Sequence, residues 1–182
     1  MAGMTFEEKT ISSRMIYEGK ILNLRKDVVE VVGNKTSERE IIEHNGGVTL
    51  SAVTGDGKMV MVRQFRKAAG RTILEAPAGK REKDEDPLET AARELKEETG
   101  YTATDIKFLT KFYSSVGYSE EIIYIYLCTG LVPGETAFDD NEAIDIVEME
   151  MDELYRMAVN GEIEDAKTII AILLAKIHTD IE

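Results

Sequence analysis

Between Gly79 and Tyr101 the chain reads GKREKDEDPLETAARELKEETGY, a glycine loop that runs into one helix whose start and stop are both written in the residues. Asp86 can cap, Pro87 suits the first helical position, and Glu89 sits where a capping-box acid reaches back. Gly100 supplies the stop. Leu88, Ala91, Ala92 and Leu95 recur at i, i+3, i+4 and i+7 and predict the face that packs against the rest of the fold. At about 100° per residue, Glu94 and Glu98 share one edge of that face, and Glu97 lies roughly 60° from Glu94 on the side away from the apolar stripe. Two acids one turn apart therefore address the same volume, with Glu85 and Glu97 close by in sequence.

Like charges stacked at i, i+4 on a solvated helix cost about 0.2–0.5 kcal/mol per pair. A divalent cation reverses that sign. Carboxylate oxygens are hard donors and suit Mg2+ or Mn2+ better than Zn2+ or Cu2+. The plain alternative is an acidic helix facing water. Gly79, Glu85 and Arg93, all standing in register with the helix acids, argue for the ion-directed reading.

The remaining chain bounds what can carry this helix. With 182 residues and 43% apolar content it fills one core and is too short for two ordinary domains. A net charge of −13 argues against a nucleic-acid or anionic-membrane partner, since either needs a basic footprint. A phosphorylated ligand must be held by local cations against that average field. Cys128 is the single cysteine, so no internal disulfide forms; it closes the apolar run Ile122 to Leu127 and is expected in the core. No run approaches the roughly 18–20 apolar residues of a membrane span, and no secretory h-region follows Met1. The expectation is a soluble, cytoplasmic protein.

Strands are expected over Ile21 to Val32, Glu38 to Glu43, Val48 to Val53 and Met59 to Phe65, with Gly55-Asp56-Gly57 as a hairpin turn between the last two. Lys107 to Tyr113, Glu121 to Cys128 and Ile144 to Met149 follow as strands. Asp152 to Ala158 reads as a short helix, and Asp165 to Ile177 as a longer one with Ile169, Ile170, Leu173, Leu174 and Ile177 on its buried face. Strands around a few helices make a mixed α/β protein.

Gly79, Glu85, Arg93-Glu94-Leu95, Glu97-Glu98 and Gly100 together resemble the Nudix box, G-x5-E-x7-R-E-U-x-E-E-x-G-U, where U is a bulky aliphatic residue. Each fixed position matches except the last, where Tyr101 stands for an aliphatic residue. Val62-Arg63-Gln64-Phe65-Arg66 followed by Leu74-Glu75-Ala76-Pro77-Ala78-Gly79, and Arg39-Glu40-Ile41-Ile42-Glu43-His44, resemble segments of the ADP-ribose pyrophosphatase subgroup. So do Tyr17-Glu18-Gly19-Lys20 and the stretch from Gly161 to Thr168. A departure lies at Ser115-Val116-Gly117, where the subgroup has proline in place of Val116.

The resemblance implies an α/β/α sandwich around a mixed sheet with an N-terminal antiparallel strand extension, divided as 1–45 for dimerisation and substrate and 46–182 for catalysis. It implies metal-dependent hydrolysis of ADP-ribose to AMP and ribose 5-phosphate. A sugar nucleotide is the alternative substrate, and a non-catalytic nucleotide-sensing module is the alternative of another class. By resemblance, the Ala78 carbonyl, Glu94, Glu98 and Glu142 hold Mg2+ or Mn2+, and either Asp140 or Glu142 takes the proton of the attacking water. Arg93 and Glu97 come with the catalytic box. Arg66 meets the diphosphate, Arg39 and Glu40 the adenine, and Glu120 is a substrate-contacting acid. A homodimer is implied as well, its N-terminal strands from about Thr10 to Glu43 exchanged or packed across subunits.

Overall fold

A computed structural model of the chain describes residues 6–137 and 143–179. It forms two compact units, one drawn from Met1–Gly46 with Tyr113–Ile122 and the other from Gly47–Phe112 with Ile123–Glu182.

The first unit holds an antiparallel sheet of order β1-β2-β3: β1 (Thr10–Glu18), β2 (Asn23–Val31) and β3 (Lys35–Glu43). Three strands stand where the sequence suggested two, because every residue of β1 is exposed and shows no buried alternation to reveal it. Gly33 and Asn34 turn β2 into β3 with φ of 82° and 57°, the left-handed region those residue types tolerate. The loop around Tyr118 joins this unit through Ile42, whose N–H donates to the Tyr118 carbonyl at 2.7 Å and whose carbonyl accepts from Glu120 at 2.9 Å.

The second unit contains β4 (Gly47–Ala52), β5 (Lys58–Arg66), β6 (Arg71–Glu75), β7 (Ala78–Lys80), α1 (Pro87–Thr99), β8 (Tyr101–Tyr113), β9 (Ile122–Pro133), β10 (Ile144–Glu150), α2 (Met151–Val159) and α3 (Ala166–Thr179). One sheet has the order β7-β4-β9-β8 and is mixed, since β4 runs parallel to β9 and antiparallel to β7. The other, β10-β5-β6, is antiparallel. The turn at Gly57 forms as expected, but β4 and β5 enter different sheets, with a single bridge between Val53 and Met59 beside the turn and Val60 packed with Leu50. Both edges of β4 are already taken by β7 and β9.

All six residues of β4 are buried, because helices cover both of its faces. Val48, Leu50 and Ala52 pack with Ala91 and Leu95 of α1. Ser51 donates to the Ala171 carbonyl of α3 at 3.0 Å on the opposite side. Met59, Met61, Ile125 and Leu127 meet Leu154 of α2 and Ile172 of α3 in the second cluster. The architecture is thus a mixed α/β sandwich. Leu95 is wholly buried, and its truncation to Ala would cost about 2–5 kcal/mol.

Two helical faces differ from expectation. In α1 the buried residues are Thr90, Ala91, Leu95, Glu98 and Thr99, while Leu88 and Ala92 are exposed. The face has rotated so that a carboxylate lies inside it. In α3, Thr168, Ala171, Ile172 and Ala175 are buried and Ile177 is exposed. Small alanines let the helix backbone approach β4, and the larger Ile169 and Ile170 pack at its margin.

Candidate active site

The segment from Glu75 to Gly79 joins β6 to β7, and each of its residues is tied to a different part of the second unit. Glu75, 2% exposed, accepts from Arg66 Nε at 2.6 Å, from Arg66 Nη2 at 2.9 Å and from Lys167 Nζ at 2.5 Å. The Ala76 N–H donates to Thr168 Oγ1 at 2.9 Å. The Pro77 carbonyl accepts from Leu50 at 2.8 Å. The Ala78 N–H donates to Glu98 Oε2 at 2.9 Å. A Cβ on Gly79 would lie 1.7 Å from Cδ of Glu94, so the carboxylate fills the space a side chain would need. That close approach is the reason a glycine opens the motif.

Asp86 caps α1 by accepting the Leu88 N–H at 2.8 Å, and Gly100 ends it in the left-handed conformation at φ 73°. The helix thereby starts and stops where it brings Glu94 and Glu98 onto Ala78 and Gly79 at the start of β7. Arg93 organises the other acids. Its Nε and Nη2 donate to the two oxygens of Glu85, both at 3.2 Å. Nη1 donates to Glu94 at 2.7 Å and to Glu97 at 2.9 Å, and Nη2 also reaches the Lys80 carbonyl at 3.2 Å. These bonds use all five donors of a guanidinium. Arg93 is therefore spent within the chain as an organiser of carboxylates. Its hydrogen bonds hold Glu85 down to a pKa of about 2, against some opposition from burial.

Among the described residues, no three acidic, histidine or cysteine side chains form a ready group around one point. The donor chemistry nevertheless fits a hard divalent ion. Glu98 is only 6% exposed yet anchored by one oxygen to a backbone amide, and Glu94 is pressed against a glycine cradle. Both are hard oxygen donors held in place by the chain itself, Glu98 by the Ala78 amide and Glu94 by Arg93.

Arg66, expected at the diphosphate, lies at the end of β5 and pairs with Glu75 through Nε and Nη2; among the described residues its Nη1 makes no hydrogen bond. Its charge is stabilised first by Glu75 and, beyond that pair, by the field of Glu98. Ala78, Arg93, Glu94, Glu97 and Glu98 are brought together around α1. Arg39, Glu40 and Glu120 belong to the first unit. There Arg39 is gripped by Glu8 at 2.5 and 2.9 Å. Glu120 meets Arg25 at 3.0 Å, and Arg25 also binds buried Asp27 and Glu43. The alternation of β3 sends Arg39 and Glu40 to opposite faces of their sheet. Asp140 and Glu142 lie outside the described residues.

Sequence reasoning missed the Glu75 and Lys167 pairing and the Arg25 cluster. A buried acid closing the apolar stretch Ile73-Leu74 was the available signal for the first, but its second cation stands 92 residues away. A cavity of about 440 Å³ opens elsewhere, between Thr99, Tyr101, Pro133 and Glu148, and none of the box acids lines it. The Tyr101 hydroxyl there donates to Glu148 at 2.7 Å.

The NUDIX domain family matches residues 44–171. The chain belongs to the Nudix family. Residues 8–42 match the nucleoside diphosphate sugar hydrolase N-terminal domain. The chain is 44% identical over 172 residues to the methanol dehydrogenase activator of Bacillus methanolicus, covering 93% of each. It is 43% identical over 170 residues to the ADP-ribose pyrophosphatase of Bacillus subtilis (strain 168), covering 92% of each. A solved structure titled as an ADP compounds hydrolase superposes with a TM-score of 0.86 at 18% identity, covering 98% of this chain and 97% of that one. That likeness carries the Nudix fold. Among the described residues, no helix is long and apolar enough to cross a membrane.

Proposed function

We propose that the chain hydrolyses the pyrophosphate linkage of ADP-ribose, giving AMP and ribose 5-phosphate, with Mg2+ or Mn2+ as the cofactor. The observation that carries this reading is the pair of carboxylates, Glu98 on the Ala78 amide and Glu94 on the Gly79 cradle, held at the start of β7. The 43% identity to an ADP-ribose pyrophosphatase supports the choice of substrate.

Glu94, Glu98, the Ala78 carbonyl and Glu142 would hold the ion, which supplies neutralisation of diphosphate charge and a more acidic water. The chain's own groups do the rest. Arg93 orients Glu85, Glu94 and Glu97. Arg66 offers its guanidinium to the diphosphate, a group it suits by its fixed charge and planar donors. Either Asp140 or Glu142 takes the proton of the attacking water. Arg39 and Glu40, on the strands within 1–45 of a homodimer, contact the adenine, and Glu120 is a further substrate-contacting acid.

A substrate panel with Mg2+, read as phosphate released after phosphatase coupling, tests the reading. ADP-ribose should show the highest kcat/KM. A sugar nucleotide preferred by about tenfold or more would replace it, a second reading favoured by the sugar hydrolase match over 8–42. Binding of ADP-ribose without turnover at saturating Mg2+ would indicate a sensing module instead. Comparing Asp140→Asn with Glu142→Gln identifies the base as the variant that loses rate with little change in Mg2+ dependence.

A further inference from the structure

Lys167 stands in the first turn of α3, next to Asp165, whose carboxylate accepts the Thr168 N–H at 3.1 Å. A cation is poorly placed at a helix N-terminus, where the macrodipole favours negative charge. Two acids offset that placement: Asp165 at 2.8 Å and Glu75 at 2.5 Å from Nζ. The same Glu75 carboxylate holds Arg66 on its other side. Two carboxylates and two cations thus form one chain, Asp165, Lys167, Glu75, Arg66, and its formal charge is zero. Without Lys167 the chain would carry −1 beside any bound diphosphate, and Glu75 alone would cancel the Arg66 charge.

We propose that Lys167 is a positioning residue for substrate binding: by sharing the Glu75 carboxylate it holds the Arg66 guanidinium in place and leaves its charge available to the anionic diphosphate. This rests on the reading above that Arg66 meets the diphosphate. Nothing in the position of Lys167 on α3 requires it to touch substrate. Its effect passes through Glu75, which is buried and bonded to both cations.

The test is steady-state hydrolysis of ADP-ribose with Mg2+ by Lys167→Met, Lys167→Arg, Arg66→Ala and the Arg66→Ala/Lys167→Met double variant, with melting temperatures recorded for each. Lys167→Met should raise KM about tenfold with kcat within about twofold, and the rise should shrink as salt screens the partly exposed charges. Lys167→Arg should restore KM. In the Arg66→Ala background, Lys167→Met should have no further effect. If Lys167→Met does not fold, Lys167→Gln removes the charge while keeping a donor for Glu75 and takes its place.

An unchanged KM in Lys167→Met, with KM raised in Arg66→Ala, overturns the inference and leaves the reading of Arg66 standing. So does an equal KM rise from Lys167→Met with and without Arg66. A normal KM in Arg66→Ala overturns that reading of Arg66, and the inference falls with it.

Discussion

Glu98 is the residue in which structure and chemistry are hardest to separate. It is buried in the helix face and accepts a backbone N–H from Ala78, so its carboxyl oxygen has a structural task besides any ligand. A Gln amide oxygen can accept the same bond, and Glu98→Gln should therefore keep the melting temperature while lowering kcat at least about a hundredfold. A variant that loses both together would assign Glu98 to the fold alone. Glu85 answers a different question. Arg93 holds it near a pKa of about 2, well below the ordinary 4.5. A depressed carboxylate stabilises the fold fully above its unfolded value, and that contribution is lost as pH falls toward the folded one. Urea unfolding should show wild type more stable than Glu85→Gln above pH 4.5, with the gap closing between 4.5 and about 2. A gap that stays constant through this window would mean the pair contributes nothing in solution.

The loop and helix that build the site make a second kind of prediction. Gly79 has an ordinary negative φ, and what an added Cβ would strike is the far end of the flexible Glu94 side chain. Gly79→Ala should therefore cost less than about 1 kcal/mol of stability while displacing the carboxylate, so kcat/KM should fall at least about tenfold. Asp86→Ala is the converse: loss of the cap should cost about 1 kcal/mol and leave kcat/KM of the folded enzyme within about twofold. Calorimetric melting with steady-state kinetics separates the two. The bounds of α1 were legible because Asp86, Pro87 and Gly100 act over a few residues. Its rotation was not. Burial of Glu98 in place of Leu88 depends on the Ala78 amide, and a hydropathy pattern cannot foresee a carboxylate drawn inward by a backbone donor. The face of α3 escaped for another reason, since apolar residues surround that helix and only its approach to Ser51 selects Ala171. Strands β6 and β7 are short and exist by pairing with β5 and β4, which local composition does not report. The box acids stood out because their spacing is local, whereas the Glu75 cluster is assembled only by the fold.

At the scale of the whole molecule, the net charge of −13 and the exposed N-terminal strand pull in opposite directions. Mutual repulsion keeps copies apart, yet β1 presents Ile11, Met15, Ile16 and Tyr17 to solvent with all nine of its residues exposed. An apolar edge strand of that length invites pairing with another chain unless something covers it. A second copy is the occupant implied by the proposed homodimer. Light scattering at micromolar concentration should therefore give twice the mass of the chain. Ile11→Glu combined with Ile16→Glu should shift it to the mass of one chain, because the added charges would have to be buried against an already acidic partner. The far-ultraviolet circular dichroism of the double variant should be retained, since neither side chain is buried in the single chain. A wild-type protein that scatters as a monomer removes the dimer altogether. A dimer that survives both substitutions moves the interface away from β1.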